Sequence, residues 1–232
     1  MDFSDDGQYM RGGYGPRYRN YNGEKEDYQI DSINVRQVGS VDQLRYVVEC
    51  FKAEEETRRA VMNFGDPMKD DYDENGELKV TKDIPCTREL HFMKQSGTRK
   101  LDLIVRMRSN DLIWGASAVN IFNYTFMQEY VAAILGMEVG YYYHIADNLH
   151  YYDRHQELVE ALSMMDEVEE KPVMYDKSFR SLDEFDELVT RLSEEELSMR
   201  KNLDEYKTTV FEDPFFQHWY NVLYEFNKNK RR

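Results

Sequence analysis

The chain has 232 residues, enough for one large domain with a substantial core, and a formal net charge of −15 from 45 acidic and 30 basic residues. This acidity argues against nonspecific binding to nucleic acid or to a membrane surface, although a local arginine cluster can still bind a mononucleotide. Its two cysteines, Cys50 and Cys86, argue against a disulfide framework and suit a reducing cytoplasm. No apolar run is long enough to span a membrane, and the polar start at Met1 does not resemble a signal peptide.

The first predicted helix follows a polar arm. Residues 1–25 are rich in Gly, Tyr, Arg and Asp without apolar periodicity, which predicts a loop or an extended arm. A helix is predicted from Val41 to Thr57, because Ser40 can cap it and apolar residues repeat at helical spacing. Cys50 lies within this periodicity and is therefore expected to be buried and inert. The apolar face contains Leu44, Val47, Val48 and Phe51.

A predicted strand at residues 58–64 leads into a polar segment, Asp66 to Lys82. Within it, residues 71–76 imitate the first half of a calcium-binding EF-hand loop. Lys82 occupies the twelfth position, where that loop needs a bidentate glutamate. A solvated turn is therefore predicted instead of a metal site.

Three further strands and three helices complete the predicted elements. The strands cover Thr87–Lys94, Lys100–Met107 and Glu138–Ala146, with Gly97 marking a turn. The helices cover Asn120–Leu135, Ser181–Tyr206 and Asp213–Asn227, and Gly136 ends the first of them. Since no repeat, linker or domain boundary is visible, residues 1–232 are predicted to form a single domain.

Residues whose side chains could take part in binding or catalysis occur in a definite order along the chain. Cys86 offers a thiol, and the pair Arg108-Ser109 offers a cation and a hydroxyl suited to a phosphate monoester. Taken singly, each has an ordinary alternative: a small buried cysteine, a surface arginine, a packing tyrosine, a helix-capping asparagine or a structural histidine. The full set, in chain order, is Tyr18, Arg58, Arg59, Cys86, Arg108, Ser109, Asp111, Asn120, His150 and Tyr152.

This order of residues resembles thymidylate synthases and their pyrimidine hydroxymethylase relatives, in particular divergent phage-type members. The resemblance is strongest over residues 14–155, whereas residues 156–232 read as a divergent, acidic helical extension. It implies an α/β fold with one large twisted mixed sheet and flanking helices. Two such sheets would pack back to back in a homodimer.

The resemblance also implies roles in catalysis and phosphate binding. Cys86 would attack C6 of dUMP, and Tyr18, within Tyr14-Gly15-Pro16-Arg17-Tyr18, would help to remove the C5 proton. Methylenetetrahydrofolate would be the cosubstrate, and no metal ion is implied. Four residues would bind the nucleotide phosphate, the last two from the partner subunit: Arg108, Ser109, Arg58 and Arg59.

Four residues would recognise the remaining parts of the ligands. Asp111 would meet the folate pterin, and His150 with Tyr152 would hold the deoxyribose hydroxyl. Asn120 would read the base, since an amide presents both a donor and an acceptor to O4 and N3–H of uracil. This favours dUMP over dCMP, while the product, dTMP or hydroxymethyl-dUMP, stays open.

Departures from the family pattern qualify the expectation. Thr87 follows the cysteine, where thymidylate synthases usually carry histidine. The family's early segment, with an arginine loop, a glutamate and a tryptophan, has no counterpart in the sequence. A truncated enzyme, a split enzyme completed by a separate chain, and a relative without catalysis are all compatible with this. The alternative function is therefore that of a nucleotide-binding or structural assembly protein. The expected location is the cytoplasm, of the host if the chain is phage-encoded.

Overall fold

The structure is a computed structural model that describes residues 13–21, 40–166 and 176–230. The chain divides into two compact units, residues 1–132 with 137–164 and residues 133–136 with 165–232. The single-domain prediction stays a prediction. Within the described residues, no helix combines the length and apolar character needed to cross a membrane.

The described residues of the first unit form six strands. They are β1 (Val61–Asn63), β2 (Thr87–Lys94), β3 (Lys100–Met107), β4 (Asn110–Asp111), β5 (Glu138–Ala146) and β6 (Leu149–His150). A four-stranded sheet has the order β1-β2-β3-β5, in which β3 and β5 are parallel and the other neighbours antiparallel. β4 and β6 form a separate parallel pair. The predicted mixed α/β architecture is confirmed, with four strands in the main sheet.

Among the described residues, five α-helices begin in this unit. They are α1 (Tyr14–Arg19), α2 (Gln43–Ala53), α3 (Pro67–Asp70), α4 (Asn120–Leu135) and α5 (Gln156–Ser163). A π-helical segment, Leu112–Val119, runs directly into α4, and a 3₁₀ turn, Asp153–His155, precedes α5. The predicted end of α4 is confirmed, because Gly136 takes the left-handed φ of 63° that favours glycine there.

Helix α2 carries the apolar face predicted for it. Leu44, Val47, Val48 and Phe51 are all buried. The helix is shorter than predicted, and Asp42 caps it instead of Ser40, because the Asp42 carboxylate accepts the Arg45 N–H at 2.9 Å. The prediction of a buried Cys50 is wrong: this residue lies at the margin of the apolar face and is partly exposed.

Helix α1 contradicts the prediction of a loop over residues 14–19. It is anchored by Arg17, which is 1 % exposed and donates two hydrogen bonds to Asp70, at 2.6 and 2.9 Å. The rings of Tyr14 and Tyr18 also pack edge-on against Phe64, with centroids 5.6 and 5.1 Å away. The helix therefore depends on long-range contacts instead of an apolar stripe. The rest of the predicted arm, residues 1–12 and 22–25, lies outside the described residues.

The EF-hand-like segment forms the predicted turn. The Asp73 carboxylate accepts backbone N–H groups of Glu77 and Asn75, each at 2.9 Å. These bonds hold the pKa of Asp73 below its usual value. Gly76 completes the turn with a φ of 77°.

The second unit is built on two helices, α6 (Leu182–Lys201) and α7 (Pro214–Lys230). Ser181 caps α6 by accepting the Glu184 N–H at 3.2 Å, and Asp213 caps α7 by accepting the Phe216 N–H at 3.0 Å. Phe179 lies at the centre of an aromatic cluster that joins both helices. Both predicted helices are confirmed.

Candidate active site

A cleft of about 320 Å³ opens in the first unit. It gathers six residues singled out from the sequence: Cys86, Ser109, Asp111, Asn120, His150 and Tyr152. Tyr14, Asn110, Trp114 and Gly115 also line it. Residues separated by more than sixty positions in the chain thus face one another across a space large enough for a small organic ligand.

Parallel strands explain this convergence. β3 and β5 are parallel neighbours, so their carboxyl ends lie at the same edge of the sheet. Residues 109–111 follow β3, and residues 149–152 follow β5. The pairing of β4 with β6 and a hydrogen bond from Asn110 N–H to Asn148 C=O, 2.8 Å long, join the two segments. Ligands commonly bind at the carboxyl ends of parallel strands.

Cys86 directly precedes β2 and is partly exposed. The backbone N–H groups of Cys86 and Thr87 both donate to the Tyr14 hydroxyl, at 3.2 Å each. A bulge between Thr87 and Glu89 shifts the strand register at this point, a device that often redirects side chains near functional sites. Thr87 is fully buried and its hydroxyl bonds to that of Tyr124. The nucleophile candidate is therefore held through its backbone.

Arg108 braces the segment before Cys86. Its Nε donates to the Pro85 carbonyl at 3.1 Å and its Nη2 to the Ile84 carbonyl at 3.0 Å. The Arg108 side chain is exposed and does not line the cleft. The predicted hairpin thus brings Arg108 beside the cysteine segment, with its Nη1 free of hydrogen bonds to the described residues.

Ser109 and His150 meet at one side of the cleft. The Ser109 hydroxyl lies 3.4 Å from His150 Nδ1 and 3.4 Å from Asn148 Oδ1. His150 Nδ1 lies 2.9 Å from Asn148 Oδ1, which accepts a hydrogen bond from it. The Tyr152 ring packs edge-on against His150, with centroids 5.4 Å apart. The imidazole is thereby oriented, and Asn148 is a partner that the sequence did not reveal.

Asp111 offers an acceptor at the cleft. Its Oδ1 accepts the Trp114 N–H and caps the π-helical segment. Its Oδ2 is buried and has no hydrogen-bond partner among the described residues. Trp114 lines the same cleft and is 59 % exposed. A planar ring that carries N–H groups could stack on the indole and donate to Asp111.

Besides Arg108, three predicted residues lie outside the cleft. Tyr18 packs under it against Phe64, bonds to Tyr124, and has its pKa raised well above the usual value by burial. Arg58 and Arg59 are exposed in the segment before β1. Neither arginine side chain forms an ion pair or hydrogen bond with any residue in the described part of the chain. The structure therefore does not bring these three residues to the cysteine within one chain.

Tyr14 and Asn110 are two of the cleft residues that sequence reasoning missed. Both stood next to the residues chosen: Tyr14 opens the segment that ends at Tyr18, and Asn110 is the variable position between Ser109 and Asp111. The spacing of Tyr14 and Tyr18 by one helical turn was the available signal, because both then share one helix face.

Comparison with known proteins gives independent support for the resemblance. The chain matches the family model described as "Thymidylate synthase" over residues 2–208. It is 41 % identical over 150 residues to the deoxyuridylate hydroxymethyltransferase of Bacillus phage SP01, covering 65 % of this chain and 36 % of that protein. The corresponding enzyme of Pseudomonas phage M6 is 32 % identical over 152 residues, with the same coverages of 65 % and 36 %.

Cellular enzymes are similar as well. Thymidylate synthase 1 of Bacillus spizizenii is 32 % identical over 141 residues, covering 61 % of this chain and 41 % of that enzyme. The chain thus spans little more than a third of the phage relatives it matches. The family match continues past His155 into the region predicted to be divergent. Because that match covers most of the sequence, the chain belongs to the thymidylate synthase family.

Proposed function

We propose that this chain transfers a one-carbon unit to C5 of dUMP, with Cys86 as the nucleophile. The observation that carries the proposal is the cleft, in which Cys86 shares one space with Ser109, Asn120 and His150. Membership of the family supports the reaction class. The nucleotide phosphate would bind near Ser109 and the free edge of Arg108.

The chemistry would begin with the Cys86 thiolate. Its addition to C6 forms an S–C6 bond and moves the C5=C6 electron pair toward O4, which makes C5 nucleophilic. The amide of Asn120 would stabilise the charge that develops at O4. After C5 has bonded to the one-carbon unit, loss of the C5 proton would let the bond between that carbon and the cosubstrate nitrogen break, with the electron pair leaving on nitrogen, to give an exocyclic methylene at C5. Addition of water to this methylene would give hydroxymethyl-dUMP, and addition of a hydride from the tetrahydrofolate would give dTMP. In either case, expulsion of the thiolate from C6 restores the C5=C6 double bond and regenerates Cys86.

Methylenetetrahydrofolate would supply the one-carbon unit as cosubstrate. The residues present fit such a ligand. The unpartnered Asp111 Oδ2 can accept from the N–H groups of a pterin, and the exposed Trp114 offers a stacking surface. These two residues would orient the ligand next to Cys86 and keep water from that side of the cleft.

Incubation with 5-fluoro-dUMP and methylenetetrahydrofolate tests the proposal. A working Cys86 should form an adduct that survives denaturation and appears by mass spectrometry on the peptide containing residue 86. With dUMP, the mass of the product distinguishes methyl from hydroxymethyl transfer. Binding of dUMP without either adduct or product would favour the alternative of a nucleotide-binding or assembly protein.

The proton-transfer role assigned to Tyr18 fits Tyr14 better. Tyr14 lines the cleft and bonds to the backbone of Cys86, while Tyr18 does not reach the cleft. Because the Tyr14 hydroxyl accepts two N–H groups, its own proton can hold a water molecule near C5.

We expect Tyr14→Phe to slow tritium release from 5-tritiated dUMP about 10²-fold, within the usual range for proton-transfer groups. The control Tyr18→Phe should slow it only a few-fold, since Tyr18 sits beneath the cleft; the reverse order would contradict this assignment.

Base selection should depend on Asn120. An ionised aspartate at this position only accepts, so Asn120→Asp should lose the bond to O4 and gain one to the amino group of cytosine. We expect dUMP affinity to fall about tenfold or more, as for a lost hydrogen bond at a buried site, and the preference to move toward dCMP. Calorimetric titration with both nucleotides measures this, and equal affinities in the unmodified protein would remove the assigned role.

A homodimer would bring Arg58 and Arg59 to the phosphate of the partner. Alternate side chains of β5 form an exposed apolar and aromatic row: Val139, Tyr141, Tyr143 and Ile145. Ile104 and Arg106 of the adjacent strand pair with Tyr143 and Ile145, and so continue the same face. Such a face supports back-to-back packing of two sheets.

We therefore expect a dimeric mass by light scattering at micromolar concentration. Arg58→Ala combined with Arg59→Ala should be inactive, as should Cys86→Ser. Mixing the two inactive proteins should restore about a quarter of the activity, because one intact site forms in each mixed dimer of an isologous pair. A strictly monomeric mass, or no recovery in a mixture shown to exchange subunits, would contradict the shared site.

A further inference from the structure

A hydrogen-bonded chain of three side chains ends at the floor of the cleft. Asn110, which is 3 % exposed and lines the cleft, donates from Nδ2 to His144 Nε2 at 2.7 Å. His144 Nδ1 lies 2.7 Å from the Tyr142 hydroxyl. None of these three residues is among those for which the family resemblance implies a role, and the proposed chemistry does not use them.

The bond from Asn110 determines the protonation of His144. An amide nitrogen can only donate, so His144 Nε2 must accept. Nδ1 then carries the proton and donates a hydrogen bond to the Tyr142 hydroxyl. The imidazole is therefore neutral, and its burial, which lowers its pKa, acts in the same direction. In the structure, the amide nitrogen of Asn110 points toward His144.

Its oxygen is thereby turned toward Gly115 and Asn120. A Cβ at residue 115 would lie 1.8 Å from Asn110 Oδ1 and 2.7 Å from Asn120 Oδ1. The two amide oxygens therefore approach the same space, which only a glycine leaves open. No donor from the described residues bonds to either oxygen. An N–H donor is what this pair of oxygens lacks.

We infer that Asn110 is a second specificity-determining residue, whose fixed carbonyl oxygen meets the pyrimidine edge beside Asn120. The inference rests on the proposed function. Uracil carries one N3–H, which can be shared between the Asn120 and Asn110 oxygens, whereas cytosine carries a lone pair at N3 that would face both of them. His144 is a positioning residue, because it acts only by holding the Asn110 amide in one of its two orientations.

The test compares dissociation constants for dUMP and dCMP by calorimetry. His144→Phe removes the acceptor and lets the amide turn, so the preference for dUMP should fall about three- to tenfold, the effect of one neutral hydrogen bond. His144→Gln still offers an acceptor and should restore most of the preference. Asn110→Leu should weaken dUMP more than dCMP. Asn75→Leu, in the exposed turn, is the matched control and should leave both constants unchanged.

The outcomes separate this inference from the function on which it rests. Unmodified protein that binds neither nucleotide would remove the proposed function. Normal discrimination in His144→Phe and Asn110→Leu, with the unmodified protein preferring dUMP, would overturn the role of Asn110 alone. If Asn110→Leu does not fold by thermal melting, Asn110→Ser replaces it. The contrast between His144→Phe and His144→Gln is decisive, because a purely structural role predicts equal effects on both nucleotides.

Discussion

Replacing Cys86 by serine is expected to abolish the adduct with 5-fluoro-dUMP and to lower turnover of dUMP on the order of 10⁴-fold or more. A serine hydroxyl stays protonated at neutral pH and is a poorer nucleophile than a thiolate, so the bond to C6 would not form. Binding should survive, because the cleft and its polar groups are unchanged. Adduct mass, steady-state turnover and dUMP affinity together measure these three effects.

Cys50 provides the matched control within the same chain. It lies in α2, away from the cleft, and it is partly exposed like Cys86. Cys50→Ser should therefore leave adduct formation intact. In thiol labelling, dUMP should protect Cys86 and leave the rate at Cys50 unchanged. Faster labelling of Cys50, or protection of Cys50 by dUMP, would count against the mechanism.

Arg17→Met is expected to destabilise the protein by about 3–5 kcal/mol, the usual cost of breaking a buried ion pair. It leaves the carboxylate of Asp70, itself buried, without its guanidinium partner. Arg17 also donates to the Phe64 carbonyl, so the contact between α1 and the end of β1 is lost too. Urea unfolding followed by circular dichroism gives the free energy of unfolding directly.

Arg19 is the control for this prediction. It pairs with Asp42 at 3.0 Å, but its side chain is 35 % exposed. Exposed ion pairs contribute about 0–1 kcal/mol, so Arg19→Met should cost far less than Arg17→Met. Equal small losses for the two variants would mean that α1 is not anchored by Arg17.

The elements whose bounds were predicted correctly are those determined by their own local sequence. β2, β3, β5 and α4 have the predicted bounds, since alternation, branched and aromatic residues, and Gly97 or Gly136 define them in the sequence itself. Helix α1 escaped prediction because Arg17 finds its partner 53 residues away. The π-helical segment was equally hidden, as it depends on how residues 112–119 fit between β4 and α4.

The sequence predicted several of the residues that line the cleft, but not which neighbouring side chains reach it. Ser109 and His150 meet because they follow parallel strands, and both were predicted because they match motifs of the family. Tyr14 and Tyr18 illustrate what the pattern cannot decide. They lie one turn apart on the same short helix, so only its docking against Phe64 determines which hydroxyl reaches the cleft.

The bonds from Cys86 and Thr87 to Tyr14 also have a dynamic consequence. Both amides donate to a side chain of another element, so they would lose this partner if α1 detached. Their hydrogen-exchange rates would then report the local opening of this helix, separately from global unfolding. The fraction of time for which Cys86 is held in place for catalysis would then depend on how often the six-residue helix α1 detaches.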